Sequence, residues 1–166
     1  MRVNKLKVKR TCDTLKKMLL TATFSSLAFV LSTFVYFPQM APFQHCINVI
    51  TAVFLGPWYG TLAALVTGIL RMMIGRSILA ITGAIFGAFL AGVFYKYTKK
   101  FYMALIGEVI GTGIISAIVS YPIMKYVYGI PLDKFYYYIP FFLPSSLIGS
   151  FLGFLILRKL RKLEKF

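Results

Sequence analysis

His45 and Asn48 lie three residues apart, so on a helix they share one face, and Gln44 stands directly beside them. An imidazole and two carboxamides donate and accept hydrogen bonds without committing to bond-making chemistry. Arg71 adds a fixed cation, and Arg76 follows five residues later. Glu108 is the other candidate. Thr112, Ser116 and Ser120 follow it at four-residue steps, forming a polar stripe that must turn toward a protein interior if its surroundings are apolar. These residue types suit recognition of a small polar or heterocyclic solute.

The groups that catalysis would need are missing from the pattern. No GxxxxGK[ST] phosphate loop occurs, so ATP hydrolysis by this chain is excluded. There is no HExxH pair, no carboxylate cluster for a metal and no GxSxG nucleophile elbow. Four acids in 166 residues leave little for acid–base chemistry. The expectation is a chain that is not an enzyme and carries neither cofactor nor metal.

The elements that must position these residues are apolar and long. The chain is 59% hydrophobic and 14% charged, against about 25% charged in ordinary soluble domains. Met18–Phe37, Cys46–Leu70 and Ser77–Tyr95 contain no ionisable acid or base beyond tyrosine and cysteine; Phe101–Met124 is interrupted only by Glu108, and Phe135–Leu157 follows. Each is about as long as the ~20 residues that cross a bilayer core. The first is too long for the apolar part of a secretory signal. The net charge of +15 sits in the flanks, where bases orient a membrane chain and meet anionic headgroups rather than nucleic acid. Cys12 and Cys46 fall on either side of the first block and are not expected to pair.

Charge also counts the crossings. Gly56-Pro57-Trp58-Tyr59-Gly60 interrupts the second block, and proline opens helices far better than it continues them. If this block crosses once, the Lys and Arg residues divide eleven inside to eight outside. If it goes in and returns, they divide fifteen to four, as the excess of bases on cytoplasmic loops requires. The fold class expected is therefore an all-α integral membrane protein, a six-transmembrane-helix bundle with both termini cytoplasmic. It forms a single domain over 1–166, with spans of about 17–36, 44–56, 57–72, 77–95, 102–124 and 138–157 and basic cytoplasmic tails at 1–16 and 158–166. Charge leaves open whether 44–72 makes two full spans or a re-entrant hairpin. Gln44, His45, Asn48 and Arg71 gather at the outer face under either arrangement.

Small residues recur four apart at Ala64/Gly68, Gly83/Gly87, Ala88/Gly92, Gly107/Gly111 and Gly149/Gly153, a spacing that lets helix backbones approach. Packing within the bundle is expected to use most of these pairs. On the first span, Ala22/Ser26 and Thr21/Ser25 offer a comparable face for a partner helix.

The run Ala41-Pro42-Phe43-Gln44-His45-Cys46-Ile47-Asn48, then Leu55-Gly56-Pro57-Trp58-Tyr59-Gly60, then Ile69-Leu70-Arg71, and the Gly83–Gly92 helix ending in Tyr95-Lys96 resemble ThiW. That family comprises substrate-binding S components of energy-coupling factor (ECF) transporters, and the resemblance is most specific between Lys17 and about Lys100. It implies six helices, an outward-facing pocket and a gating loop between the first two helices, at Tyr36–Gln44. It also implies partners: a transmembrane coupling subunit and two ATPase subunits. Ala22-x-x-x-Ser26 stands where such families carry an Ala-x-x-x-Ala-like face for the coupling subunit. The ligand implied is a thiamine precursor, hydroxyethylthiazole.

On this reading the substrate contacts are His45, Asn48 and Arg71, then Gln44 and Glu108. The competing readings are an S component for a pyrimidine precursor or intact thiamine, and a membrane scaffold that binds no solute.

Overall fold

The computed structural model describes residues 2–35 and 41–163, with side chains from Thr11 onward in the first helix. Among the described residues there are six helical segments: α1 Arg2–Phe34, α2 Pro42–Phe54, α3 Gly56–Met73, α4 Leu79–Thr98, α5 Phe101–Val127 and α6 Ile139–Leu163. The bundle is all-α, as its apolar blocks predict. Four segments are long and apolar enough to cross a membrane: Thr11–Phe34, α4, α5 and α6.

α1 differs from expectation by being longer, since the basic segment before residue 17 is also helical. Hydropathy marks only the apolar part of a helix; the Lys- and Leu-containing stretch ahead of it has good helix propensity and continues the same turns. Tyr36–Met40, the larger part of the expected gating loop, lies outside the described residues.

The Gly-Pro break is realised as a sharp reversal. The Leu55 N–H closes α2 on the Thr51 carbonyl at 2.8 Å, Gly56 takes φ +76°, and Pro57 opens α3 in its first turn. A side chain at Gly56 would strain a conformation that glycine adopts freely. α3 then folds back along α2: Gly60 lies against Thr51 and Ala52, and Arg71 near the end of α3 meets Gln44 at the start of α2. At the turn end, Pro57 packs against Gly92 of α4.

α5 is continuous but not uniformly α-helical. It widens into π-helical turns at Gly111–Ser116 and again at Ile123–Val127, after Pro122. In a regular α-helix each four-residue step overshoots a turn by about 40°, so Glu108, Thr112, Ser116 and Ser120 would wind away from one another. The wider turn at Gly111–Ser116 advances less per residue and offsets that drift. All four side chains are buried, and Ser120 reaches Thr82 of α4 at 2.7 Å between hydroxyl oxygens.

The small-residue pairs are used inside the bundle. Gly87 faces Thr112 and Glu108, Gly107 faces Leu90, and Gly149 and Gly153 face Pro42, His45 and Cys46 of α2. Gly149 is the tightest of these helix crossings. A Cβ there would stand 2.0 Å from the Pro42 carbonyl oxygen and 2.8 Å from His45 Cβ. In an open helix, alanine would be stabilising over glycine by nearly 1 kcal/mol. Here Gly149→Ala is expected to reverse that sign and cost about 1–3 kcal/mol by overpacking, read as a lower Tm of the purified protein.

Candidate functional site

The starts of α2, α4 and α6, the end of α3 and the α3–α4 loop enclose a small cavity. Ala41, Gln44, His45, Arg71, Arg76, Ser77, Leu79, Ala80, Gly83 and Phe142 line it, and its volume is about 90 Å³. The position follows from the folds already described. The hairpin brings Arg71 back beside Gln44, and the Ala41 N–H donates to Ser145 Oγ at 2.9 Å, holding the start of α2 on α6. Gly83 has no side chain, and the Phe142 ring occupies the room, 3.3 Å from where a Cβ would stand. One wall is therefore aromatic.

Arg71 is buried, with 6% of its surface exposed. It does not extend to a headgroup layer; its Nη1 donates to Gln44 Oε1. A guanidinium only donates, so the Gln44 oxygen must face it and the amide nitrogen must face away. Gln44 is 1% exposed, and its Nε2 has no hydrogen-bond partner among the described residues. Buried amide nitrogens in folded proteins are nearly always paired. The Gln44 amide thus leaves on the cavity wall a donor with no hydrogen-bond partner among the described residues.

His45 lines the same cavity but is held from behind. Its Nδ1 lies 2.9 Å from Glu108 Oε1, while Asn48 Nδ2 donates to that oxygen at 3.0 Å and Thr112 Oγ1 at 3.1 Å. When Glu108 is a carboxylate this oxygen can only accept, so Nδ1 then carries the hydrogen in either charge state of the ring. In the neutral ring this makes Nε2 an acceptor. Asn48 also reaches the Ala84 carbonyl at 3.4 Å. Glu108 is fully buried, against Gly87.

The structure thus brings Gln44, His45 and Arg71 to one cavity wall. Asn48 and Glu108 do not line it; they fix the tautomer and orientation of His45 from the second layer. Sequence reasoning placed Arg76 only in the adjoining loop and missed Phe142, Ser77 and Gly83 as wall residues. Gly83 carried a signal, the start of the glycine–alanine helix, but nothing in one sequence pairs it with Phe142. Among the described residues no group of histidine, cysteine and acidic side chains is placed to hold a metal, and both cysteines are free thiols.

On α1 the two small-residue pairs part company. Thr21 and Ser25 are buried; Ser25 Oγ donates to the Ala63 carbonyl at 3.2 Å, and Thr67 Oγ1 donates to the Ser25 carbonyl at 3.3 Å. They join α1 to α3. Ala22 and Ser26, about 100° further round the helix, are exposed.

The protein resembles a solved structure described as "Structure and mechanism of the S component of a bacterial ECF transporter", with 22% sequence identity, a TM-score of 0.73, and coverage of 92% of this chain and 99% of that one. At that identity the likeness defines the fold. The family model described as thiamine-precursor transporter protein (ThiW) matches residues 18–163, and the chain belongs to that family. It is a membrane protein of a transporter family, not of an enzyme family. No curated protein matches it in sequence.

Proposed function

We propose that this chain is the S component of an ECF transporter and captures hydroxyethylthiazole, a neutral thiamine precursor, in the cavity beneath α2, α4 and α6. The observation that carries this reading is the pairing on one wall of a buried amide donor, Gln44 Nε2, with a tautomer-fixed imidazole, His45. Hydroxyethylthiazole has the complementary pair: a ring nitrogen that accepts and a hydroxyl that donates. Phe142 offers its ring a flat apolar surface.

Charge supports a neutral precursor over the finished vitamin. The cavity is small, about 90 Å³. Arg71 and Arg76 line the cavity, and the starts of three helices, each with its partial positive charge, surround it. A cationic thiazolium would be repelled there.

Calorimetry on the purified protein tests the ligand. Hydroxyethylthiazole is expected to bind one to one, and intact thiamine and the pyrimidine precursor at least about tenfold more weakly, a difference of ~1.4 kcal/mol. Tighter binding of either competitor would remove the ligand assignment and leave the class. Absence of any solute binding would favour the scaffold reading.

Six spans with both termini cytoplasmic complete the proposal. α2 has 13 residues and α3 has 18, or ~20 and ~27 Å of helix. Although short, the hairpin runs the depth of the bundle: Gln44 and Arg71 meet at the cavity end, while Val53 and Phe54 stand level with Lys99 and Phe101 at the other. Two crossings fit this better than a re-entrant turn. The exposed Ala22/Ser26 face of α1 is the proposed seat of the coupling subunit, with two ATPase subunits supplying the hydrolysis that this chain lacks.

A further inference from the structure

At the opposite end from the cavity, the ends of α2, α4 and α6 and the start of α5 leave a second cleft, of about 390 Å³, lined by Val53, Phe54, Tyr95, Lys99, Phe101, Leu157, Leu160 and Arg161. Its chemistry is two-part. Val53, Phe54, Leu157 and Leu160 form an apolar floor. Above them, the Tyr95 and Phe101 rings stack with centroids 6.0 Å apart, and each carries a cation: Lys99 Nζ lies 5.8 Å from the Tyr95 centroid, and the Arg161 guanidinium 5.6 Å from that of Phe101.

Among the described residues no acidic side chain lines the cleft. Lys99 is also the only non-glycine residue with positive φ among the described residues, at +57°, where it ends α4 with its N–H on the Tyr95 carbonyl at 2.8 Å. Glycine is the usual occupant of that position. A lysine there places a cation where glycine would place none. The Lys99 side chain is exposed, and its ammonium lies over the Tyr95 ring at the rim of the cleft.

From this geometry we infer that the cleft is a binding site for an anionic phospholipid, with the phosphate between Lys99 and Arg161 and the upper part of an acyl chain on the Val53–Leu157 floor. The occupant must be anionic at one end and apolar along the rest. The exposed sides of Phe54 and Leu160 continue the floor onto the outer surface of the bundle, so a chain lying there passes directly into the bilayer. Lipid fits this continuity better than an acidic peptide, whose polar backbone would face hydrocarbon. A lipid seated there would tie the ends of α2, α4 and α6 together at the face that carries most of the chain's bases.

The test is native mass spectrometry of detergent-purified protein, without thiazole, after incubation with equimolar dioleoyl phosphatidylglycerol and dioleoyl phosphatidylcholine. Wild-type protein is expected to retain phosphatidylglycerol over phosphatidylcholine by about tenfold. Lys99→Asn, which suits the left-handed backbone, combined with Arg161→Gln should abolish that preference. Lys159→Gln with Lys162→Gln removes the same charge from residues outside the cleft and should leave it intact. Equal retention of the two lipids would overturn the proposal, as would equal loss in the two double variants. So would displacement of phosphatidylglycerol by millimolar inorganic phosphate, which would make the site one for free anions, or by an acidic amphipathic peptide, which would make it a protein contact. The Arg161→Gln single variant, on an exposed helix end, carries the same comparison if the double variant fails to fold. None of these outcomes depends on the solute bound at the far cavity.

Discussion

Glu108→Ala is expected to lower the stability of the folded bundle by about 3–5 kcal/mol, the range seen when one partner of a buried charged or hydrogen-bonded pair is removed. Glu108 Oε1 receives His45 Nδ1, Asn48 Nδ2 and Thr112 Oγ1. Alanine would strand the His45 and Thr112 donors in a fully buried place and leave Asn48 only its 3.4 Å contact with the Ala84 carbonyl, each unpaired group costing on the order of 1–3 kcal/mol before relaxation. It would also open a void beside Gly87, where the carboxyl packs 2.8 Å from the position of a Cβ. Glu108→Gln is the informative contrast. Its amide oxygen can take the place of Oε1 and keep all three donors. Its nitrogen would occupy the place of Oε2, which already has no partner among the described residues. The loss expected for glutamine is about 1 kcal/mol. Thermal unfolding of the two purified variants checks the pair. Equal destabilisation would mean that the negative charge, rather than acceptor geometry, holds the site.

The same residues show how far one sequence can be read. The burial of Glu108 and its hydroxyl stripe follows from its position in an apolar helix. Its partner does not, because no periodicity links residue 108 to residue 45. The pairing depends on α4 allowing close approach at Gly87, and on the π-helical turn at Gly111–Ser116 keeping the stripe on one face. Local glycines hint at such a turn without specifying it. The Gly56-Pro57 reversal was legible for the opposite reason: φ +76° and a proline in the next helix's first turn are local demands, met by local residues. It carries Arg71 back to Gln44, so two of the cavity's polar residues could be placed together in advance. Phe142 could not. It reaches the cavity only because α6 packs on α2 through Gly149 and Gly153, and many aromatic residues in this chain would have served equally well on sequence grounds.

His45→Phe is expected to separate binding from folding. Phenylalanine keeps most of the ring's bulk on the cavity wall and removes both nitrogens. Glu108 Oε1 would still accept from Asn48 and Thr112, so the fold should lose no more than about 1–2 kcal/mol, far less than in Glu108→Ala. The ligand would lose its acceptor at Nε2. A solute hydroxyl then buried against a hydrocarbon ring would go unpaired, a penalty of about 1–3 kcal/mol. By calorimetry the Kd for hydroxyethylthiazole should rise about 10- to 100-fold. Gln44→Leu provides the independent arm, because it removes the donor that the thiazole nitrogen would accept from and leaves the His45–Glu108 contact untouched. If His45→Phe binds within twofold of wild type while Gln44→Leu does not, the imidazole is a spacer and the cavity reads only the ring nitrogen. If both bind as wild type does, the solute sits elsewhere and the buried amide of Gln44 has some other purpose. A large loss in each, with unfolding temperatures near that of wild type, would mean that the polar wall recognises its ligand from both sides, by a donor held in place by Arg71 and an acceptor held in place by Glu108.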